Sequence, residues 1–177
     1  MTGTDGLNLI RGRRSVRKFS NEPISEEHVN EIIETGISAP SAGNRQPWRV
    51  VVVRTKEMKN RLAEAALRQT FIATADVVLA VCMVPEESAE RYGDRGRTLY
   101  SIQDTAAMTQ NILLAAHMLG YGAVWIGAFD EKAVSSVLNI PNEMKPVSLI
   151  PIGGLEGPLP PQRKRRPITE IRVDEKF

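Results

Sequence analysis

The segment RGRRSVRKF, residues 11–19, places five cationic side chains within eight positions, with Ser15 in their midst. Guanidinium groups match phosphate oxygens bidentately, and a serine hydroxyl adds a neutral donor of suitable length. Arg13, Ser15 and Arg17 alternate along the chain, so an extended backbone would direct all three side chains to one face. This spacing indicates a binding site for a small anion such as a phosphate monoester.

A second cationic segment, RKRR at residues 163–166, repeats the pattern, because Arg163 and Arg165 alternate in the same way. Two distant segments that meet at one phosphate group would account for both clusters. Either cluster taken alone is equally compatible with a solvated basic turn.

The charge of the remaining chain argues against a nucleic acid as the partner. The chain has 23 basic and 21 acidic residues, and the two clusters hold nine of the cations and none of the acids. The rest therefore carries 14 cations against 21 acidic residues, a net charge of −7. A long polyanion would be repelled outside the two clusters, so the distribution favours a small anionic ligand.

Length and composition bound the class of protein. At 177 residues and 42% hydrophobic content, the chain is expected to form one domain over residues 1–177. We find no apolar run long enough for a transmembrane helix, and the N-terminus lacks the pattern of a signal peptide. A single cysteine, Cys82, forms no internal disulfide, which fits a cytoplasmic location, and two histidines leave no basis for a metal site.

Residues for self-contained catalysis are missing from the sequence. It holds no Walker-type phosphate loop, no G-x-G-x-x-G after a strand and no G-x-S-x-G elbow. Cys82 lies in an apolar strand pattern and is interpreted as an inert packing residue. His28 and His117 lie on predicted helices without an obvious carboxylate or nucleophile nearby in sequence. If the protein is an enzyme, a cofactor must carry the reaction.

Apolar periodicity predicts strands that alternate with helices, which is typical of an α/β or α+β sheet between helical layers. Trp48 and Trp125 are predicted to lie in the core. The predicted strands cover residues 49–54, 76–84, 122–129 and 147–154, with 168–173 as a fifth. A short helix is predicted near residues 7–10, and three further helices are predicted to begin after the caps Ser25, Thr55 and Asp130. A longer helix is predicted over 99–119, with a C-terminal cap at Gly120. The segments 39–48 and 85–97 are predicted loops.

The predicted helix over residues 99–119 is apolar on most sides in its second half, so most of its circumference must be buried. A small domain can bury part of such a helix and a second subunit can cover the remainder. The pattern therefore predicts a dimer.

Four segments together identify a family resemblance. In order, RRSVRKF, APSAGNRQPW, GAVWIGAFD and PPQRKRRPITEI resemble the signature segments of the nitroreductase-like FMN-binding oxidoreductases, and the resemblance covers nearly the whole chain. It implies an α+β fold with a central, mostly antiparallel β-sheet sandwiched by helices. It also implies an intertwined homodimer with two FMN sites at the subunit interface.

The resemblance implies roles for both cationic clusters. Arg13, Arg14 and Ser15 are expected at the phosphate and ribityl end of FMN, and Arg17 beside the N1–O2 edge of its ring, where a guanidinium stabilises the negative charge of the reduced flavin. The tail residues Arg163 and Arg165 are expected to close over the phosphate.

The resemblance also assigns the loop after the second predicted helix. Pro40, Ser41 and Ala42 are expected to pack on the flavin of the neighbouring subunit. Asn44 and Gln46 are expected to support that loop or the ribityl chain, because their amides both donate and accept hydrogen bonds. Asn44 alone is equally compatible with a role in holding a turn.

The resemblance also implies that two further segments contact the flavin ring. Gly127 and Ala128 are expected to supply backbone donors at the O4–N5 edge, where a small residue lets the main chain approach a flat ring. Gly127 could also be a strand-end glycine with no ligand. Gln69 is expected to reach the pyrimidine edge, with Arg68 as the competing residue.

The activity implied is ping-pong hydride transfer through flavin N5 from NADH or NADPH to a nitroaromatic, quinone or similar acceptor. The chain is shorter than better-known members, and its segment ERYGDRGR, residues 90–97, is expected to lack the extra helices that cover the flavin, which leaves an open site. The alternatives are a dehalogenating or flavin-modifying branch of the superfamily, and a non-enzymatic protein that binds nucleic acid or acidic partners.

Overall fold

The computed structural model describes residues 3–177. Within this range the chain forms six α-helices and four β-strands, joined by short 3₁₀ segments at Ala42–Asn44, Thr70–Thr74 and Ile168–Glu170. The helices are α1 Gly3–Gly12, α2 Glu26–Ile37, α3 Lys56–Ala65, α4 Pro85–Arg95, α5 Ser101–Met118 and α6 Glu131–Leu138. The strands are β1 Trp48–Val53, β2 Val77–Met83, β3 Gly122–Ala123 and β4 Lys145–Gly153.

The helix starts follow from the predicted caps, because each side chain accepts a hydrogen bond from a free backbone N–H in the first turn. Ser25 caps α2, Thr55 caps α3 and Asp130 caps α6. The end of α5 is a Schellman motif: the N–H of Gly120 donates to the carbonyl of His117, and that of Tyr121 to Ala116. Gly120 has a φ of +84°, which explains glycine at this position.

The four strands form one antiparallel sheet in the order β1-β2-β4-β3. Trp48 lies opposite Met83 where β1 meets β2, and Val77 lies opposite Ile152 where β2 meets β4. The predicted third strand is shorter than expected, because only Gly122–Ala123 pair regularly, and Ile126 then forms an isolated bridge to Leu149. The predicted α+β class with a mostly antiparallel sheet is confirmed.

Helices cover both faces of the sheet, and every residue of β2 is buried. On one face Leu79 and Val81 pack with α2 and α5, around Ile32 and Ile112. On the other face the alternate residues of β2 and Leu149 pack with α3 and α6. Because successive strand side chains point to opposite faces, one continuous apolar strand supplies both cores.

Three sequence predictions were wrong. The predicted charged loop 85–97 forms α4 and the start of a π-helical turn, Gly96–Tyr100, since Pro85 at the first helical position and Glu86 in the first turn both favour a helix start. The predicted fifth strand, 168–173, is exposed and contains a 3₁₀ turn instead. Trp48 is buried as predicted, but Trp125 is 40% exposed.

Gly36 marks the closest approach of α2 to α5, because a Cβ built on it would lie 2.7 Å from Cγ1 of Ile112. We expect Gly36→Ala to reduce the free energy of unfolding by about 1–3 kcal/mol, since this contact forces the core to shift. Gly6 in α1 has nothing within 4 Å of such a Cβ, so Gly6→Ala should stabilise the protein by about 0.5–1 kcal/mol. Urea denaturation measures both, and equal effects of the two variants would contradict the assigned contact.

Candidate functional site

The arginine-rich segment is attached to the edge of the sheet. The N–H of Val16 donates to the carbonyl of Ala123 at 3.0 Å, and Ser15 forms a parallel bridge with the same residue. Glycine is required opposite this contact, because a Cβ on Gly122 would lie 2.6 Å from Cγ1 of Val16. The attachment holds the backbone of Arg13, Ser15 and Arg17 along the sheet edge. Val16, which lies between them, is buried.

The structure brings the two cationic clusters together. A cavity of about 560 Å³ lies between the end of α1, the segment after it and the C-terminal tail. We call it the arginine cavity. Of the predicted site residues it is lined by Arg13, Arg14, Ser15, Arg17, Arg163 and Arg165.

The cations around the arginine cavity repel one another. Burial lowers the pKa of the Arg13 guanidinium, and the nearby positive charges of Arg165 and Arg14 lower it further. Among residues 3–177, no ion pair joins Arg13, Arg163 or Arg165 to a carboxylate. The cavity therefore carries excess positive charge that a bound anion would compensate.

Arg14 has a structural role in addition to lining the cavity. Its Nη1 donates to the carbonyls of Arg11, Gly12 and Arg13 at 2.9, 2.7 and 3.1 Å. These carbonyls lie at the end of α1, where a cation also complements the helix dipole. Arg14 thus holds the turn that presents Arg13, and only its remaining N–H groups are available to a ligand.

Two residues of α5 at this site were not predicted. Gln110 lines the arginine cavity, and a Cβ on Gly12 would lie 3.2 Å from Nε2 of His117. Burial lowers the pKa of His117, and the charges of Arg13 and Arg14 lower it further. The seven-residue spacing of Gln110 and His117 places them on one helix face, and this periodicity could have indicated them.

Arg17 connects the arginine cavity to a second one, because it lines both. The second cavity, of about 700 Å³, is also lined by Phe71, and we call it the Phe71 cavity. The guanidinium of Arg17 lies 5.7 Å from the centre of the Phe71 ring, within the range of a cation–π contact. This contact fixes Arg17 without neutralising its charge.

Gln69 lies beside the predicted ring-binding segment. Its Nε2 donates to the carbonyl of Ala128 at 2.9 Å and to that of Ala66 at 2.8 Å. The competing residue, Arg68, is exposed and pairs with Glu64. A Cβ on Gly127 would meet only Nε1 of Trp125, at 3.9 Å, so the backbone here is accessible. The structure thus brings Gln69, Gly127 and Ala128 together, and their contact with a flavin stays a prediction.

The loop that contains Pro40, Ser41, Ala42, Asn44 and Gln46 lies elsewhere in the chain, and none of these residues lines the arginine cavity. The N–H of Ala42 donates to the carboxylate of Asp104 on α5, and that of Gln46 to Oγ of Ser41. Asn44 and Gln46 both adopt positive φ, at +57° and +50°, as expected for a turn. Contact of this loop with a ligand in a second subunit stays a prediction.

This architecture, with an arginine-lined cavity at the sheet edge, is that of a known enzyme family. The family model described as the nitroreductase family matches residues 10–75 and 64–154, so the chain belongs to the nitroreductase family.

Among its relatives, a candidate NADH dehydrogenase/NAD(P)H nitroreductase of Archaeoglobus fulgidus is 37% identical over 151 residues, which span 83% of each chain. The NADPH-flavin oxidoreductase of Vibrio harveyi is 33% identical over 76% of this chain and 59% of its own length. The solved structure of NADPH:FMN oxidoreductase from Vibrio harveyi, complexed with NAD⁺, superposes with a TM-score of 0.88 at 28% identity, over 97% of this chain and 77% of that one.

Asp104 is buried, and this burial raises the pKa of its carboxyl, although the hydrogen bond from Ala42 opposes the shift. Folding therefore favours the neutral acid, and wild-type stability falls as the pH rises from about 3.8 through the raised folded-state pKa. Asp104→Asn removes this charge and keeps an acceptor for Ala42. We expect its stability relative to wild type to improve between pH 4 and pH 7, as measured by urea denaturation. A constant difference over this range would show that the carboxyl of Asp104 does not titrate in this way.

Proposed function

We propose that the protein is an FMN-dependent oxidoreductase that transfers hydride from NADH or NADPH to a nitroaromatic, a quinone or a similar flat acceptor. Membership of the nitroreductase family, and relatives named as NAD(P)H nitroreductases and NADPH-flavin oxidoreductases, support an NAD(P)H-dependent oxidoreductase. The single observation that carries the FMN assignment is the arginine cavity, in which cations from both ends of the chain meet.

The residues around this cavity fit a phosphate monoester. Such a group carries close to two negative charges and several acceptor oxygens at neutral pH. Arg13, Arg163 and Arg165 offer guanidinium donors that no carboxylate of residues 3–177 occupies, and Ser15 adds an exposed hydroxyl. The repulsion between Arg13 and Arg165 would become attraction toward one shared dianion. The same donors would bind a long nucleic acid poorly, because the rest of the chain carries a net charge of −7.

The ring of the cofactor would lie from Arg17 toward Gln69, Gly127 and Ala128. The chemistry that FMN supplies when bound is reversible two-electron transfer between a nicotinamide and an acceptor. Arg17 would hold positive charge where negative charge develops on reduction. The Gln69 amide would be oriented by the carbonyl of Ala128, and the accessible backbone at Gly127 would allow a flat ring to approach. No side chain is assigned as a proton donor, and water in an open site would serve.

A homodimer is part of this proposal. The Pro40–Gln46 loop does not line the cavity of its own chain, so a second copy is needed to bring it there. Exposed apolar residues are available for such an interface, including Ile102 and Met118 on α5 and Ile168 and Ile171 in the tail. We further propose that the nicotinamide and the acceptor bind at the same place in turn, which gives ping-pong kinetics. We also propose that the enzyme acts in the cytoplasm. Among the described residues, no helix has the length and apolar character to cross a membrane.

Removing one arginine from each end of the chain tests the FMN assignment. We expect Arg13→Gln combined with Arg165→Gln to weaken FMN binding by about a hundredfold or more, since each charge-assisted hydrogen bond contributes about 1.5–3 kcal/mol. The flavin absorbance of the purified protein and a titration of the flavin-free protein with FMN measure the loss.

The matched control for this pair is Arg61→Gln with Arg172→Gln, two exposed arginines that do not line the arginine cavity. The control should retain its flavin. Full FMN retention by the Arg13/Arg165 pair, with an unchanged unfolding midpoint, would refute the placement of the phosphate.

Arg17 is expected to affect the reduction potential of the flavin more than the affinity with which the flavin is bound. Arg17→Gln should lower the reduction potential by about 30 mV, which corresponds to about 1.4 kcal/mol for a two-electron couple, because the charge beside the reduced ring is lost. Arg17→Lys should recover most of the potential. An equilibrium dye titration measures it, and equal potentials for the Gln variant and wild type would place Arg17 away from the ring.

A further inference from the structure

A third cavity, of about 270 Å³, lies beside the first turn of α3. We call it the lysine cavity, because Lys56 and Lys59 line it together with Ser20, Asn21 and Thr74. These residues come from three separate segments of the chain, so the fold assembles the donors rather than one local motif. None of them has a role in the function proposed above.

The two lysines retain unused donors. Lys59 is 7% exposed, and its Nζ donates to the carbonyls of Ala75 and Asp76 at 2.5 and 2.9 Å. Lys56 donates to the carbonyl of Ala73 at 2.8 Å. An ammonium group has three protons, so Lys59 keeps one and Lys56 keeps two for another partner. Both therefore combine a fixed position with remaining hydrogen-bonding capacity.

The lysine cavity carries uncompensated positive charge. Among the described residues that line it, Asp76 is the only acid, and its carboxylate accepts hydrogen bonds from Arg54 at 2.9 Å and from the N–H of Ile24 at 3.0 Å. Burial lowers the pKa of Lys59, and Asp76 only partly opposes this effect. Cations in the first turn of a helix also act against its dipole, so the stability of α3 does not explain them.

The lysine cavity continues the Phe71 cavity, because both are lined by Ser20, Asn21 and Thr74. The 3₁₀ segment Thr70–Thr74 lies along this path and is about 8 Å long at about 2 Å per residue. Glu156 is the acid that lines the Phe71 cavity. A trough therefore leads from Arg17, where the proposed flavin ring begins, to the two lysines.

We propose that the lysine cavity binds a phosphate group of the dinucleotide that delivers the hydride, while the nicotinamide lies toward Arg17 and Phe71. The inference rests on the proposed function and adds a subsite to it. Both the pyrophosphate of NADH and NADPH and the 2′-phosphate of NADPH present the oxygens that ammonium groups recognise. This subsite is separate from the arginine cavity, which is assigned to the cofactor.

The test compares hydride donors with and without phosphate. The flavin-loaded enzyme is assayed with NADH, NADPH and 1-benzyl-1,4-dihydronicotinamide, a donor without phosphate. Lys56→Gln should raise KM for the phosphate-bearing donors about tenfold and change that for the benzyl donor by less than about twofold. A higher KM for both dinucleotides would show that the lysine cavity binds the pyrophosphate. A higher KM for NADPH alone would show that it binds the 2′-phosphate.

Calorimetric titration with NADP⁺ provides a readout that does not depend on turnover, and Lys56→Gln should weaken its Kd about tenfold. Lys56→Arg should retain most of the affinity, because it keeps the charge. The matched control is Lys132→Gln, which removes an exposed lysine from α6. Lys56 is itself exposed, so its replacement leaves the buried Lys59 contacts in place.

Equal KM and Kd values for Lys56→Gln and Lys132→Gln would overturn the subsite and show that the lysines only anchor the carbonyls of residues 73–76. An equal rise in KM for the benzyl donor would overturn it too, because the effect would then not involve phosphate. A wild-type protein that takes hydride from none of the three donors would remove the proposed function, and this inference with it. Failure of the function is therefore distinguishable from failure of the subsite alone.

Discussion

The backbone hydrogen bond from Val16 to Ala123 is the constraint on which the site depends. It attaches residues 15–16 to the sheet edge, and Gly122 leaves the space that buried Val16 requires. A second attachment follows, in which Ser20 donates to the carbonyl of Gly154 and a Cβ on Gly153 would meet Phe19. Because both ends of this segment are attached to the sheet, the backbone that carries Arg17 between them is held in place. Anchoring by backbone and small residues leaves the arginines free for a ligand.

Collecting cations in one cavity opposes folding, since like charges repel and partly buried charges lose hydration. Arg14 offsets part of this effect by donating to three carbonyls at the end of α1. Arg13 and Arg165 have no such compensation among the described contacts. A ligand that binds only the folded protein stabilises it by mass action. This chain thus carries a local electrostatic penalty at the arginine cavity, and a bound anion would reverse that penalty.

Most helices and strands could be predicted from the sequence, because helix caps and apolar runs act through residues that are neighbours in the chain. Ser25, Thr55 and Asp130 cap helices as expected, and the β-branched runs became β1 and β2. The predicted loop at 85–97 is α4 instead, because a charge-rich segment is compatible with a helix when its charges find partners. In the structure they form ion pairs along α4, including Glu86 with Arg97. Trp125 follows β3 at a point where regular strand pairing has ended, and the local sequence pattern does not specify where that pairing stops.

The site was predicted less completely than the fold, since convergence of distant segments is a tertiary property. The two arginine clusters were recognised by their composition, and the structure does bring them to one cavity. The lysine cavity was missed, because its donors are spread over residues 20–76 and form no motif. The prediction of a single domain over residues 1–177 stays a prediction, because it concerns whether the chain folds as one unit. The contacts of individual residues with the cofactor also stay predictions, because they require a bound ligand.

Helix α5 explains why one chain would not complete the proposed site. Asp104 near its N-terminus holds the Pro40–Gln46 loop, whereas Gln110, six residues later, lines the arginine cavity. Six residues correspond to a rotation of about 240° and a rise of about 9 Å, so the two side chains face different directions. The loop is therefore held away from the cavity of its own chain by the same helix that lines that cavity. A two-fold partner would be needed to bring a second copy's loop to this cavity, which is why the dimer and the flavin belong to one proposal.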